Sequence, residues 1–272
     1  MSISLVSDQK IAETSSKGNQ EKWYDAGTNS WYKLDQFGYE ALAETVISQL
    51  LERSNIERDT PFTFLRYHME TLRVHGRERT GCVSPNFLKE GQSIITLNHL
   101  LSRCLGIPLR DKLARLPSDR RRIAYLAEAT ADCTGLTDFP RYLTLLFEVD
   151  ALFCNDDRHL NNIDVLQENG AYSYCPIFDN GAGLLSNTQL SRMDIEPAAL
   201  IAALKARPFL TTFTRQRNTA RSLFGPQLRM LRLTAAEIRE VLSPALEFYP
   251  ARDRGTITDR VTACILSRQR TR

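Results

Sequence analysis

The chain has 272 residues, 42% hydrophobic and 25% charged, a composition typical of a globular protein with a sizeable core. A net charge of +3 at pH 7 provides little steering toward nucleic acid or a membrane surface. No apolar run approaches the roughly 18 residues of a transmembrane helix, and the N-terminus lacks a signal peptide's apolar stretch. The six cysteines form no CxxC pair, which argues against a zinc site. We therefore predict a cytoplasmic protein that binds neither nucleic acid nor membrane.

The first third of the chain is predicted to consist mainly of strands around one helix. Two aromatic-rich runs separated by AGTN at 26–29 are typical of a hairpin. Apolar residues recur at helical spacing over 38–54 and predict a helix there. The predicted strands cover 22–25, 30–34, 62–67 and 72–75.

From about residue 93 the pattern becomes helical, with one hairpin embedded in it. The hairpin turns at an Asn-Gly dipeptide, 169–170, which favours tight turns between antiparallel strands. Strands and helices do not alternate as they do in a doubly wound parallel sheet. We predict an α+β, two-lobed, protein-kinase-like fold, with a small β-rich lobe over 1–90 and a larger helical lobe over 91–272. The predicted hairpin strands are 163–166 and 172–178, and the predicted helices include 93–105, 118–133 and 138–154.

A polar stretch, CNDDRHLNNIDVL at 154–166, lies between an apolar helix and a strand. Within it, Asp157 and Asn162 have the D-x-x-x-x-N spacing of a kinase catalytic loop. In such a loop the aspartate accepts the proton of the substrate hydroxyl and the asparagine holds a metal ion. If the hairpin turns as predicted, Asn162 faces Ile177, and Asp179 emerges at the same mouth beside Asp157. Two carboxylates and an amide oxygen would then converge, and such hard oxygen ligands suit Mg²⁺.

The alternative interpretation of these three residues is a hydrogen-bonded turn with a helix cap. The neighbouring Asp156 does not fit the catalytic spacing, so a capping role is favoured for it. Two roles stay open for His159, which either forms a structural hydrogen bond or lies beside the phosphates.

A loop at the start of the chain, SSKGNQEKWY at 15–24, has the features of a phosphate-binding loop. Gly18 permits close backbone approach, and Lys17 and Lys22 add positive charge. Successive backbone N–H groups in such a loop can surround phosphate oxygens.

The next predicted strand carries Lys33, and the following helix carries Glu40 and Glu44 on one face. A strand lysine paired with a helix glutamate positions the α- and β-phosphates in protein kinases. We predict Glu40 as the first choice of partner and Glu44 as the second. The alternative is that Lys33 is an edge residue without a catalytic role.

Three blocks of the sequence together resemble the HipA-like serine/threonine kinases. SSKGNQEK at 15–22 resembles their phosphate loop, DRHLNN at 157–162 their catalytic loop, and PIFDNG at 176–181 their metal-aspartate segment. CtkA-type kinases have a similar D-R-H loop and P-I-F-D segment, and the D-R-H-x-x-N pattern is also similar to phosphatidylinositol kinases. The blocks occur in family order, from about residue 15 to 185.

The resemblance implies ATP- and Mg²⁺-dependent phosphorylation of serine or threonine in a protein substrate. It implies autophosphorylation of the phosphate loop at Ser15, which would silence the enzyme, and a small antitoxin-like or N-subdomain-like partner protein. The subdomain that precedes the phosphate loop in full-length HipA is expected to be absent. Catalysis is assigned to Asp157, His159 and Lys33, metal binding to Asn162 and Asp179, and nucleotide binding to Lys17, Gly18, Asn19, Gln20, Glu21, Lys22, Lys33, Glu40, Asn162 and Asp179.

Two other functions compete with this interpretation. The DRHLNN block also fits a phosphoinositide or small-molecule kinase, although the near-neutral charge and the lack of a basic amphipathic face argue against a lipid substrate. A non-catalytic ATP-binding pseudokinase or regulatory module is the second alternative, against which the complete residue set argues. The region 190–272 contains no motif that selects among them, and the adenine-contacting hinge is placed only approximately, at 82–88.

Overall fold

The computed structural model describes residues 21–74 and 76–270, and these form two antiparallel sheets and a set of helices. The predicted α+β class is confirmed. In chain order the strands are β1 Lys22–Asp25, β2 Ser30–Leu34, β3 His68–Val74, β4 Arg77–Pro85, β5 Ser93–Thr96, β6 Asp164–Glu168 and β7 Ala171–Tyr174. The helices are α1 Glu40–Leu51, α2 Ile56–Asp59, α3 Leu97–Leu105, α4 Leu109–Ala114, α5 Asp119–Thr134, α6 Phe139–Phe153, α7 Pro197–Ala203, α8 Phe213–Phe224, α9 Ala235–Leu246 and α10 Ala251–Arg270.

The first sheet has the strand order β1-β2-β4-β3, and α1 packs against it. The register of β1 and β2 pairs Lys22 with Lys33. Cross-strand partners point to the same face of a sheet, so both lysines project toward the same side. Every residue of α1 except Gln49 is buried, because this helix lies between the sheet and α9.

The helical part of the chain is built around α6. All of its residues except Pro140 and Arg141 are buried, and it contacts α5, α8 and α10. Burial on nearly all sides places this helix at the centre of the helical part of the chain. Among the described residues, no helix combines the length and apolarity that crossing a bilayer would require.

The second sheet has the strand order β5-β6-β7 and contains the predicted hairpin. Its register is confirmed, since Leu166 pairs with Ser173 and the turn residues Asn169 and Gly170 have φ of 49° and 84°. The ladder ends at Tyr174, so the predicted strand 172–178 stops early. The predicted pairing of Asn162 with Ile177 is wrong, because Ile177 pairs instead with Phe64 in an isolated parallel bridge.

Two predicted elements are wrong. The predicted helix 93–105 begins with a strand, β5, because β-branched Ile94, Ile95 and Thr96 pair with β6. The helix α3 starts only after it, where Thr96 caps the helix by accepting a hydrogen bond from the His99 backbone N–H. The predicted strand 62–67 is extended chain with one bridge, at Phe64, because it runs past the end of the β6–β7 ladder rather than along a strand.

Candidate functional site

A cavity of about 440 Å³ lies where α1 and β2 meet the loops that follow α6 and β7. It collects side chains that are far apart in the sequence, including most of the predicted site residues that the structure describes. The predicted residues that line it are Lys22, Lys33, Glu40, Asp157, Asn162 and Asp179.

Lys33 is the centre of a buried ion-pair cluster. Its Nζ lies 2.5 Å from Glu44 Oε1 and 2.7 Å from Asp179 Oδ1. The second oxygen of Glu44 accepts a 2.8 Å hydrogen bond from the backbone N–H of Asn180. The segment after β7 is therefore fixed to helix α1 both through Lys33 and by the direct bond between Asn180 and Glu44. A buried charge has to be paired in this way, since an isolated one would be strongly destabilising.

Asp179 is the carboxylate of this cluster that lines the cavity. Partial burial alone would raise the pKa of Asp179, but the positive charges of Lys33 and Lys22 dominate and hold it well below its usual range. Conversely, burial disfavours the charged form of Lys33, and the two carboxylates overcome this and raise its pKa well above the ordinary value. Both groups are therefore ionised at neutral pH.

The predicted pairing of Lys33 with Glu40 is wrong, and Glu44 takes that place. Glu40 instead accepts hydrogen bonds from the backbone N–H groups of Phe37 and Gly38, at 2.8 and 3.1 Å, and so closes the turn before α1. The two glutamates share a helix face, but Glu44 lies one turn further along and is the one that reaches Lys33. Glu40 still lines the cavity.

The predicted catalytic loop is held in shape by Arg158, which is 1% exposed. Its guanidinium bonds to the carboxylate of Asp150 in α6, at 3.2 Å, and to Asn180 Oδ1 at 2.8 Å. It also donates to the backbone carbonyls of Asn162 and Phe178, both at 3.0 Å. One side chain thus joins the end of α6, the loop and the segment carrying Asp179.

Asp157 lies on the open side of the cavity, with its side chain 51% exposed. The Asn162 side-chain N–H donates to the Asp157 carbonyl at 2.9 Å, which closes the loop and leaves the amide oxygen as this side chain's acceptor. Arg207 lies close by, with its Nη1 4.0 Å from Asp157 Oδ1. Partial burial raises the pKa of Asp157, and His159 and Arg207 oppose that rise.

Asp156 and His159, near Asp157 in the sequence, differ in whether they line the cavity. Asp156 lines the cavity, and burial together with the charge of Asp157 raises its pKa to about 6; the capping role stays a prediction. His159 lies outside the cavity lining, where its Nδ1 accepts a 3.2 Å hydrogen bond from the Asn161 N–H. That contact matches the structural alternative, and a catalytic role for His159 stays a prediction.

The phosphate-loop prediction is only partly visible. Lys22 lines the cavity beside its strand partner Lys33. Glu21 pairs with the sheet through its backbone, accepting from the Leu34 N–H at 3.0 Å, and is not a lining residue. The remaining predicted residues of this loop lie outside the described residues; they are Ser15, Lys17, Gly18, Asn19 and Gln20.

Sequence reasoning missed the ion pair of Arg158 with Asp150. A signal was present, because Asp150 is a carboxylate on a helix, FEVDALF, whose other residues at this end are almost all apolar. A charge in such a place requires a buried partner. Arg207 was also missed, and no motif points to it.

No family model and no curated protein matches this chain in sequence. Its structure is similar to that of the proinflammatory kinase CtkA of Helicobacter pylori, with a TM-score of 0.59, 14% identity, and 94% of this chain aligned with 89% of that one. It is also similar to a chain of the Shewanella oneidensis MR-1 toxin–antitoxin complex of HipA, HipB and operator DNA, with a TM-score of 0.52 and 14% identity. That alignment covers 93% of this chain and 64% of the other. The chain therefore has the HipA-like and CtkA-like kinase fold, as predicted.

Proposed function

We propose that the protein is an ATP- and Mg²⁺-dependent kinase that phosphorylates serine or threonine of a protein substrate in the cytoplasm. The observation that carries the proposal is a single cavity lined by Lys33, Asp179, Asn162 and Asp157, with Lys33 paired to Glu44. Phosphoryl transfer needs positioned charge rather than covalent chemistry from the protein, and this set supplies it.

The donor set fits Mg²⁺. Asp179 offers a carboxylate that stays ionised at any physiological pH, and Asn162 offers an amide oxygen into the same cavity. Mg²⁺ usually takes one or two protein oxygens and completes its shell with phosphates and water. When bound, the ion would neutralise negative charge on the phosphates. Among the described residues no group of three His, Cys, Asp or Glu side chains gathers as an alternative metal site.

The remaining residues divide the work between the two sides of the cavity. Lys33, and Lys22 beside it, would hold the phosphates of ATP on the sheet side. Asp157, on the open side, would orient the acceptor hydroxyl and take its proton. Its exposure leaves room for an acceptor side chain to approach.

The choice of a protein substrate, the autophosphorylation of Ser15 and a small antitoxin-like partner rest on the motif blocks and on the shared fold. HipA of Shewanella oneidensis was solved with HipB and operator DNA, which supports a small partner protein for a chain of this fold. The likeness to the kinase CtkA supports the reaction class.

The test is incubation of the purified protein with labelled ATP and Mg²⁺, followed by separation of protein and lipid products. We expect label on the protein itself or on a lysate protein, and about 10²–10⁴-fold less with Asp157→Asn, since a lost catalytic base costs roughly that factor. Equal labelling by wild type and Asp157→Asn would refute the proposal. Label in phosphoinositides would instead support the lipid-kinase alternative.

A second experiment addresses Ser15. Mass spectrometry of wild type and Asp179→Ala would show whether Ser15 carries phosphate.

A further inference from the structure

The segment 184–192 follows the metal aspartate and forms one wall of the cavity, with Leu185, Leu190 and Ser191 among its lining residues. It is bonded to the turn before α1. The Tyr39 N–H donates to the Ser186 carbonyl at 3.1 Å, and the Thr188 N–H donates to the Phe37 carbonyl at 3.0 Å. The position of this wall is therefore linked to the helix that carries Glu44.

The backbone of the segment is strained at two consecutive residues. Leu184 and Leu185 are both buried and have φ of 58° and 60°, in the left-handed region that non-glycine residues avoid. Such a conformation persists only where surrounding contacts hold it. The contacts that hold these two residues are therefore the ones to identify.

Arg260 of α10 supplies one of those contacts, at Leu185, and also bonds to two later residues of the segment. It is 1% exposed, and its Nη2 donates to the carbonyls of Leu185 and Ser191 at 3.0 and 2.6 Å. Its Nη1 donates to the Arg192 carbonyl at 3.0 Å. No carboxylate lies within ion-pair distance of Arg260 among the described residues, so backbone oxygens of the segment stabilise its charge.

Tyr39 extends this network to α1. Its hydroxyl accepts from Arg260 Nε at 3.1 Å and donates to the carbonyl of Leu184 at 2.9 Å. Burial raises the pKa of Tyr39 well above its ordinary value, so the hydroxyl keeps the proton that it donates. Both left-handed leucines are thus bonded through their carbonyls, one by Tyr39 and the other by Arg260.

We propose that Arg260 is a positioning residue for phosphotransfer, which holds the segment 184–192 against the start of α1 as the acceptor-side wall of the cavity. This rests on the proposed function. The guanidinium has donors on three nitrogens in one plane, and here they reach Tyr39 and three backbone carbonyls at once. A lysine ammonium keeps the charge, but its single nitrogen cannot span that set.

The experiment compares hydrogen exchange and kinetics in Arg260→Lys, Arg260→Met and a matched control, Gln269→Leu. Gln269 is also buried on α10, but it bonds only to the backbone of Leu233 and does not touch the segment. We expect both Arg260 variants to exchange amide protons in 184–192 at least about tenfold faster than wild type at matched overall stability. We expect kcat to fall about 10–100-fold, since misplaced substrate-positioning groups cost that much, while KM for ATP changes less than about twofold.

The outcomes separate the two proposals. Wild-type exchange and wild-type kcat in Arg260→Lys would overturn the positioning role. Equal acceleration of exchange in Gln269→Leu would also overturn it, because the effect would then be general loss of stability. If wild type transfers no phosphate at all, the proposed function fails, while the exchange data still show whether Arg260 holds the segment.

Discussion

The charged groups on the two sides of the cavity differ in their burial and in how closely they are paired. On the sheet side, Lys33 and Glu44 are 8% and 0% exposed, and the ion-pair distances are 2.5 and 2.7 Å. On the loop side, Asp157 and Arg207 are each about half exposed and lie 4.0 Å apart. A group that holds ATP phosphates benefits from a fixed, dry setting, where charge interactions are strong. A group that meets an acceptor hydroxyl has to stay open to the incoming substrate.

This difference predicts where substitutions act. Changes on the buried side should affect both stability and turnover, because each charge there supports a partner. Changes on the open side should affect turnover while leaving stability nearly unchanged, since exposed ion pairs contribute little to it. Four predictions test the comparison.

The largest effect is expected for Asp179→Asn, which removes the carboxylate that we propose holds Mg²⁺. We expect phosphotransfer to fall roughly 10³-fold, as it does when a group that stabilises transition-state charge is lost. Lys33 keeps Glu44 as a partner, so the fold should survive. Steady-state kinetics and thermal unfolding measure the two quantities, and a loss of less than tenfold would contradict the assigned role.

Arg158→Met is expected to produce the largest loss of stability. It leaves Asp150 buried without its cation, which should lower the free energy of unfolding by about 3–5 kcal/mol in urea titrations. The double variant with Asp150→Asn should recover part of the loss. The exposed pair of Arg66 and Glu57 provides the control, and Arg66→Met should cost only about 0–1 kcal/mol. Similar losses for both arginines would remove the distinction between buried and exposed pairs.

Glu44→Gln and Glu40→Gln separate the two predicted partners of Lys33. Loss of a charged hydrogen bond is worth about 1.5–3 kcal/mol, so Glu44→Gln should reduce kcat/KM roughly 10–100-fold. Glu40→Gln weakens a turn before α1 and should lower stability by about 1 kcal/mol, with the smaller effect on turnover. The reverse order of turnover effects would restore Glu40 as the functional partner.

The smallest effect concerns pH and Asp35, whose carboxylate accepts from the Ala41 N–H and the Tyr249 hydroxyl at 2.7 and 2.6 Å. Burial raises the pKa of Asp35 to about 7, and the nearby charge of Glu40 adds to the rise. The hydrogen bonds from Tyr249 and Ala41 and the charge of Arg79 lower the pKa, but by less. The folded protein therefore binds more protons than the unfolded chain between about pH 4 and 7, and stability falls as pH rises through that window.

Asp35→Asn removes this titration. Relative to wild type, the variant should gain roughly 1 kcal/mol of unfolding free energy between pH 6 and pH 7, measured by urea titration at each pH. A difference that stays constant with pH would show that Asp35 titrates normally in the folded protein.

Much of the site could be predicted from local sequence because its geometry follows from one hairpin. The Asn-Gly turn sets the register of β6 and β7. The kinase-loop spacing and the hairpin predicted that Asp157, Asn162 and Asp179 meet in one cavity, and they do, although the ladder ends at Tyr174 and a bridge to Phe64 carries the chain on toward Asp179. Periodicity likewise identified α1 and α6, since a helix that is buried on most sides needs apolar residues throughout.

Other features depend on how distant elements pack. Glu40 and Glu44 are equivalent in any sequence pattern, being four residues apart on one helix face. Only the position of α1 on the sheet decides that Glu44 meets Lys33. Strand β5 was predicted as helix for a similar reason. The conformation of its β-branched residues depends on pairing with β6, which lies about 70 residues further along the chain.

The sequence by itself determined the turn, the loop spacing and the helices, because those depend on dihedral preferences and on burial of residues close together in the chain. Tertiary structure alone decided which buried charges meet, as with Arg158 and Asp150, or Arg260 and the carbonyls of 184–192. The physical reason is that the partners of a buried arginine depend on distances and directions in the folded protein. The spacing of residues along the sequence does not determine these for separate helices and loops.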